Sequence, residues 1–186
     1  MVYILLGTGF EETEAIAPCD ILRRANIPVQ FVGLNGREVY GGHNIGVSAD
    51  ITIEELDYAA MDMIVLPGGM GGVNSILACP AALDAVRYAW ENGRYVAAIC
   101  AAPTVLAALG VTDGKKATCY PGLEDRMGSA DMQPGAATVA DGKLLTGAGP
   151  GTAIDFGLLL VRALKGKAAA KKVYDGLVYR LARPQE

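Results

Sequence analysis

The chain is 186 residues long, with a formal net charge of -4, 52% hydrophobic residues and 19% charged ones. That length and apolar fraction exclude a disordered chain and predict one domain, residues 1–186, with ample core. The acidic balance counts against nucleic acid as a partner, and no apolar run reaches the roughly 18 residues of a membrane span.

Met1 leads straight into the apolar Val2 to Leu6 with no basic segment before it, so no signal peptide is expected and the cytoplasm is the expected location. Cys19, Cys79, Cys100 and Cys119 are too few for a disulfide scaffold and are expected as free thiols in a reducing compartment. None forms a CxxC pair and the chain has one histidine, so no metal site is expected.

Val2 to Leu6 predicts a first buried strand, ended by Gly7-Thr8-Gly9. With Glu12 where a third glycine would stand, this is no GxGxxG dinucleotide loop. Glu11 to Ala25 reads as helix; Glu11, Glu12 and Glu14 suit its dipole, and Pro18 predicts a kink. Val29 to Val32 is a second strand. Arg37 to Ser48 reads as a small β excursion turning at Gly41-Gly42. Thr52-Ile53-Glu54-Glu55 fits a capping box that opens a short helix. Met61 to Leu66 is the next buried strand, followed by the glycine-rich loop Pro67 to Gly72. Asn74 is placed as the cap of a helix from Ser75, which Pro80 restarts and which continues over Ala81 to Asn92. Tyr95 to Ile99 is a central buried strand, and Ala101 to Leu109 a short helix closed by Gly110. Lys116 to Tyr120 is a short strand and Leu123 to Gly135 an irregular loop. Ala137 to Ala140 and Lys143 to Thr146 form a hairpin turning on Asp141-Gly142. Ala153 to Leu164 is an apolar helix and Lys167 to Arg180 a final basic one.

Strands alternate with helices, and the main strands are apolar throughout, as parallel strands buried on both faces are. The expected fold is α/β: an open, doubly wound, mostly parallel sheet of flavodoxin-like sandwich type, with a small β-hairpin excursion. Ligands bind such sheets beyond the strand C-termini. Gly7 to Glu14, Pro67 to Gly72 and Cys100-Ala101 lie there, with Tyr120 and Gly149 as further candidates.

Cys100 stands between a strand and a helix start, the geometry of a nucleophile elbow. Helix-start amides favour a thiolate, so Cys100 is expected to be the most acidic and most oxidisable of the four cysteines. A buried cysteine acting as a small hydrophobe is the competing reading, and position alone leaves both open. For a proton carrier, His43 reads first as a solvated loop residue. Glu11 and Glu14 are better placed, sharing a face at the helix start, and the residues alone leave both open. A glutamate beside the thiolate would have a raised pKa from burial and like charge. Gly68-Gly69 can present a backbone amide which, with that of Ala101, makes a two-donor oxyanion hole.

Assembled, these residues resemble the ThiJ/PfpI superfamily, in the branch of the human parkinsonism protein DJ-one and its bacterial relatives. Gly9-Phe10-Glu11-Glu12-Thr13-Glu14 is similar to the family's glutamate motif, with Glu14 in the catalytic position. Pro18 to Arg24, Leu66-Pro67-Gly68-Gly69, Ala97 to Thr104 and Gly149-Pro150-Gly151-Thr152 match in order and spacing. Ala101 follows the cysteine where protease-like relatives carry histidine, which counts against peptidase or amidase activity.

The resemblance implies a cofactor-free enzyme: a glutathione-independent glyoxalase (a lyase), also described as a deglycase (a hydrolase). Its substrates would be glyoxal, methylglyoxal and their early adducts on proteins, and its role protection against carbonyl and oxidative stress. Cys100 would be the nucleophile, Glu14 the acid–base, and Gly69 and Ala101 the oxyanion donors. Arg24, His43 and Tyr120 are candidate substrate or supporting contacts, Arg24 matching a family arginine near the dimer contact. A homodimer is implied, with Cys19 to Arg24 in the contact. The alternative function is a redox-responsive chaperone or oxidative-stress sensor that uses oxidation of the same cysteine.

Overall fold

The computed structural model describes residues 1–179. The chain begins with β1 (Val2–Leu6), every residue of which is buried. It continues through α1 (Glu12–Arg24) and β2 (Val29–Gly33). A hairpin, β3 (Glu38–Tyr40) and β4 (Gly46–Ser48), precedes the short β5 (Ile51–Thr52). Next come β6 (Met63–Leu66), α2 (Met70–Leu77), α3 (Pro80–Glu91) and β7 (Tyr95–Ile99). A short α4 (Pro103–Ala108) leads to β8 (Lys116–Ala117) and β9 (Asp131–Met132). The described residues continue with β10 (Thr138–Asp141), β11 (Leu144–Gly147) and α5 (Ala153–Gly176).

Seven strands form the main sheet in the order β10-β11-β7-β6-β1-β2-β5. All neighbours pair in parallel except β10 with β11. Val2 to Leu6, Met63 to Leu66 and Val96 to Ile99 are buried on both faces, which is why they read as unbroken apolar runs. From β1 the chain steps one way to β2, then returns to β6 on the other side of β1. The boundary between β1 and β6 is therefore the topological switch point, and their C-terminal ends open the crevice where such sheets bind ligands.

Right-handed crossovers in opposite directions send α1 and the α2–α3 pair to opposite faces. On its face, α1 packs along α5. That approach needs Gly157, where an added Cβ would lie 2.8 Å from Ile21 Cδ1 and 3.1 Å from Pro18 Cα.

The doubly wound, mostly parallel fold matches the expectation, and several boundaries move. α1 runs through Pro18 without interruption, and Glu11 caps it instead of opening it. The Thr52 to Glu55 stretch is a single 3-10 turn, with Glu55 Oε2 accepting from Thr52 N at 2.7 Å. α2 starts at Met70, not Ser75, and takes in Gly71 and Gly72. Those glycines sit at a close approach: added Cβ atoms would lie 2.9 Å from Gly9 Cα and 2.7 Å from Phe10 Cα. α4 begins at Pro103, so Ala101 and Ala102 belong to the turn. The expected strand at Lys116 to Tyr120 shrinks to β8, which pairs with β9 outside the main sheet. The β10–β11 turn is Gly142-Lys143, one residue later than expected, since Asp141 pairs with Leu144. The two C-terminal helices are one stretch interrupted at Gly166 (φ 81°). Arg180, the expected end of the second, lies outside the described residues.

Candidate active site

β7 ends at Ile99, and Cys100 adopts φ 65°, the left-handed region that side chains other than glycine rarely enter. Two hydrogen bonds hold it there. Cys100 N donates to Gly147 O at 2.9 Å, and Tyr120 N donates to Cys100 O at 2.7 Å. The strained strand-to-helix turn is the expected elbow. The side chain is largely buried, at 8% exposure. The backbone amides of Gly69 and Ala101 both favour negative charge on its sulfur, so the two amides expected from the sequence act on one atom.

Glu14 reaches the same point from α1 and has no solvent exposure. Its Oε2 accepts from Gly68 N at 2.8 Å. Its Oε1 is buried without a conventional partner among the described residues, and the carboxyl faces the Cys100 thiol. Gly68 allows this meeting: a Cβ there would lie 2.6 Å from Glu14 Oε2 and 2.7 Å from Cys100 Cβ. Glu11 resolves as the N-cap, its carboxylate accepting from Glu14 N at 2.7 Å. Of the two glutamates left open by the spacing, only Glu14 is turned inward.

Burial pushes the Glu14 carboxyl up to about 7, opposed by the Cys100 thiol facing it and by the hydrogen bond from Gly68 N. Burial, then the Glu14 carboxylate, push the Cys100 thiol up to about 12, opposed by the Gly69 and Ala101 amides. This corrects the expectation of an acidic thiol. Burial likewise pushes the Cys19 and Cys119 thiols up to about 11. The helix start that was to acidify it begins only at Pro103, and a carboxylate faces the sulfur. Burial and like charge thus oppose ionisation of both groups, and once one proton has left the pair the two share the other.

The DJ-1/PfpI family model matches residues 1–163. The chain belongs to this family. It is 38% identical over 177 residues to Protein dj-1beta of Drosophila melanogaster, covering 94% of this chain and 95% of that one. The crystal structure of Drosophila DJ-1beta superposes with a TM-score of 0.91 at 37% identity, covering 95% of this chain and 96% of the other. A DJ-1 superfamily protein from Salmonella typhimurium, solved as a cysteine-to-alanine mutant, gives a TM-score of 0.88 at 34% identity, covering 99% of this chain and 98% of the other. The chain is also 30% identical over 158 residues to the Glutathione-independent glyoxalase DJR-1.2 of Caenorhabditis elegans, 84% of this chain and 83% of that protein.

Within this DJ-1/PfpI fold the other candidates separate. Tyr120 is on the rim: its backbone holds Cys100, its ring lies 3.3 Å from where a Gly149 Cβ would be, and it is 48% exposed. His43 sits in the β3–β4 turn, tied to Glu12 and not to Cys100. Arg24 is the last residue of α1, at the end opposite Glu14, and pairs with Asp20 Oδ2 at 2.6 Å. Within its own chain Arg24 is not brought to the site, because the rest of the helix after Glu14 carries it away from the sheet edge.

Glu12 is the residue that sequence reasoning passed over. It is 5% exposed, yet nothing in its spacing marks it as buried. Glu11, Glu12 and His43 bring one ligand-type atom each within 4.8 Å of one another. Both Glu12 oxygens are already engaged by His43.

Proposed function

We propose that this chain is a cofactor-free glyoxalase acting on small dicarbonyls such as methylglyoxal, with Cys100 as nucleophile and Glu14 as acid–base. The observation that carries the reading is the buried carboxyl–thiol pair under two converging amides. In this reading Glu14 takes the thiol proton as the sulfur adds to the aldehyde carbon, and the aldehyde oxygen becomes the hydroxyl of a hemithioacetal. Glu14 then removes the proton on that carbon to give an enediol, with the developing oxyanion facing Gly69 and Ala101. Reprotonation at the neighbouring carbon leaves a thioester of the hydroxy acid on Cys100. Water cleaves it, returning the thiol; the sum is dicarbonyl plus water to hydroxy acid, with no net redox change. The name of the Caenorhabditis relative supports the same chemistry. Deglycation of early protein adducts follows if the same thiol attacks the adduct. The test is lactate from methylglyoxal without glutathione or metal: wild type forms it and Cys100→Ala does not. Wild type inactive under those conditions overturns the proposal.

A second reading, an oxidation sensor or redox-responsive chaperone, is favoured by the same two amides, which would hold oxygens added to the sulfur. It predicts that mild peroxide adds oxygen to Cys100 before Cys79 or Cys119, as read by peptide mass spectrometry. We further propose a homodimer through the outer face of α1, where the exposed Ile16 and Ile45 flank a shallow cavity of about 440 Å³. The four unpaired cysteines fit a reducing cytoplasm.

A further inference from the structure

Glu12 has no place in the proposed chemistry, yet it is a buried carboxylate two residues from Glu14. Its Oε1 accepts from His43 N at 2.7 Å and its Oε2 lies 2.8 Å from His43 Nδ1. An added Cβ on Gly41 would fall on its carboxyl group, so the turn wraps closely around it. Backbone bonds continue the clasp: Gly9 N donates to Tyr40 O and Gly42 N to Phe10 O, both at 2.8 Å. The strapped segment is the floor under Gly69. A Gly69 Cβ would lie 2.7 Å from both Gly9 O and Glu11 N, and Glu11 N donates to Gly68 O at 2.9 Å. A contiguous path therefore runs from His43 through Glu12 and the Gly9 to Glu11 turn to the Gly69 amide, which faces the Cys100 sulfur.

We propose that Glu12 is a positioning residue that, through His43, straps the β3–β4 turn over the Gly9 to Glu11 turn and so aims the Gly69 amide at Cys100. This rests on the reading of Cys100 as the reactive group. The charges at the strap are the Glu12 carboxylate, the Glu11 carboxylate beside it and the imidazole of His43. Glu12 holds His43 more protonated than usual, and His43 holds Glu12 below the usual carboxylate range against the opposing effect of burial.

The test reads the thiol and not turnover. Iodoacetamide labelling of Cys100, followed by peptide mass spectrometry from pH 5 to 10, gives a rate profile that depends on how well the amides hold the thiolate. Glu12→Gln and His43→Ala should each lower the rate above pH 7 about 5-fold, the worth of one weakened hydrogen bond. The double variant should fall no further than the single ones. His43 is exposed, so His43→Ala decides the matter if Glu12→Gln does not fold. A folded His43→Ala with the wild-type profile, or additive losses in the double variant, overturns the proposal. Lost lactate formation in wild type with the labelling shift intact would overturn the glyoxalase reading alone.

Discussion

Glu14 is a carboxyl group held where ionisation is opposed, and folding stability should record it. The unfolded chain binds its proton with the ordinary value of 4.5, while the folded chain holds it up to about 7. Its favourable contribution is therefore full below about 4.5 and is lost as pH rises through about 7. The loss is about 3 kcal/mol across that window. Glu14→Gln should be more stable than wild type at pH 8, with the difference vanishing near pH 4.5, as urea unfolding at both values would show. The same substitution should lower methylglyoxal turnover at least ~10²-fold, since an amide takes no carbon-bound proton. Glu11→Gln should retain most turnover and lose only about 1 kcal/mol of stability as a weakened cap. Turnover lost in Glu11→Gln but kept in Glu14→Gln would reassign the acid–base to Glu11. Gly68 permits no such exchange. In Gly68→Ala a methyl would enter between Glu14 and Cys100, so the predicted result is lost turnover, with the thiol labelling profile changed as well.

α1 does two jobs, one with its first turn and one with its flank. Its first turn carries Glu14 into the crevice, and its flank at Pro18 and Ile21 lies on Gly157 of α5. The helix passes through Pro18 because α5 supports it there, and Pro18 releases the hydrogen bond that would otherwise go to the Glu14 carbonyl. Gly157→Val should overpack this contact and destabilise the protein by roughly 1–3 kcal/mol. A midpoint unchanged in urea would show that α1 and α5 can part without loss. The β3–β4 hairpin acts as a second support, since its turn is hydrogen-bonded to the residues just before α1.

Across the whole fold, reversal of winding at β1 and β6 puts the Gly9 to Glu14 and Pro67 to Gly69 segments side by side, with Cys100 just after the adjacent β7. In the proposed chemistry the active protonation state is that of the pair as a unit, with one proton shared. Turnover (kcat/KM) should therefore rise about tenfold per pH unit below 7 and level above it. A profile flat from pH 5 to 8 would remove Glu14 from the rate-limiting chemistry. If the outer face of α1 joins two copies, light scattering at micromolar concentration should give a dimer mass, and Ile16→Glu should halve it. A monomeric wild type would refute the dimer.

The strands and the turn at Cys100 were legible in the chain because each rests on local order, whereas the choice between Glu11 and Glu14 came from the family resemblance and not from spacing. Buried parallel strands must be apolar throughout, and Tyr95 to Ile99 followed by Cys100 and a helix start is a pattern of neighbours. Boundaries failed where glycines were read as loop. Gly71 and Gly72 lie inside α2 because Gly9 and Phe10 come too close for any side chain, a contact between segments far apart in sequence. The same limit explains the thiol. Its acidity depends on whether the amides or the Glu14 carboxyl dominate at the sulfur, and on how much water reaches them. Within its own chain Arg24 lies away from the site, and Glu12 is buried against the His43 turn, for one reason. Which way a helix carries its residues relative to the sheet edge, and what packs over its first turn, is set by segments distant in the chain.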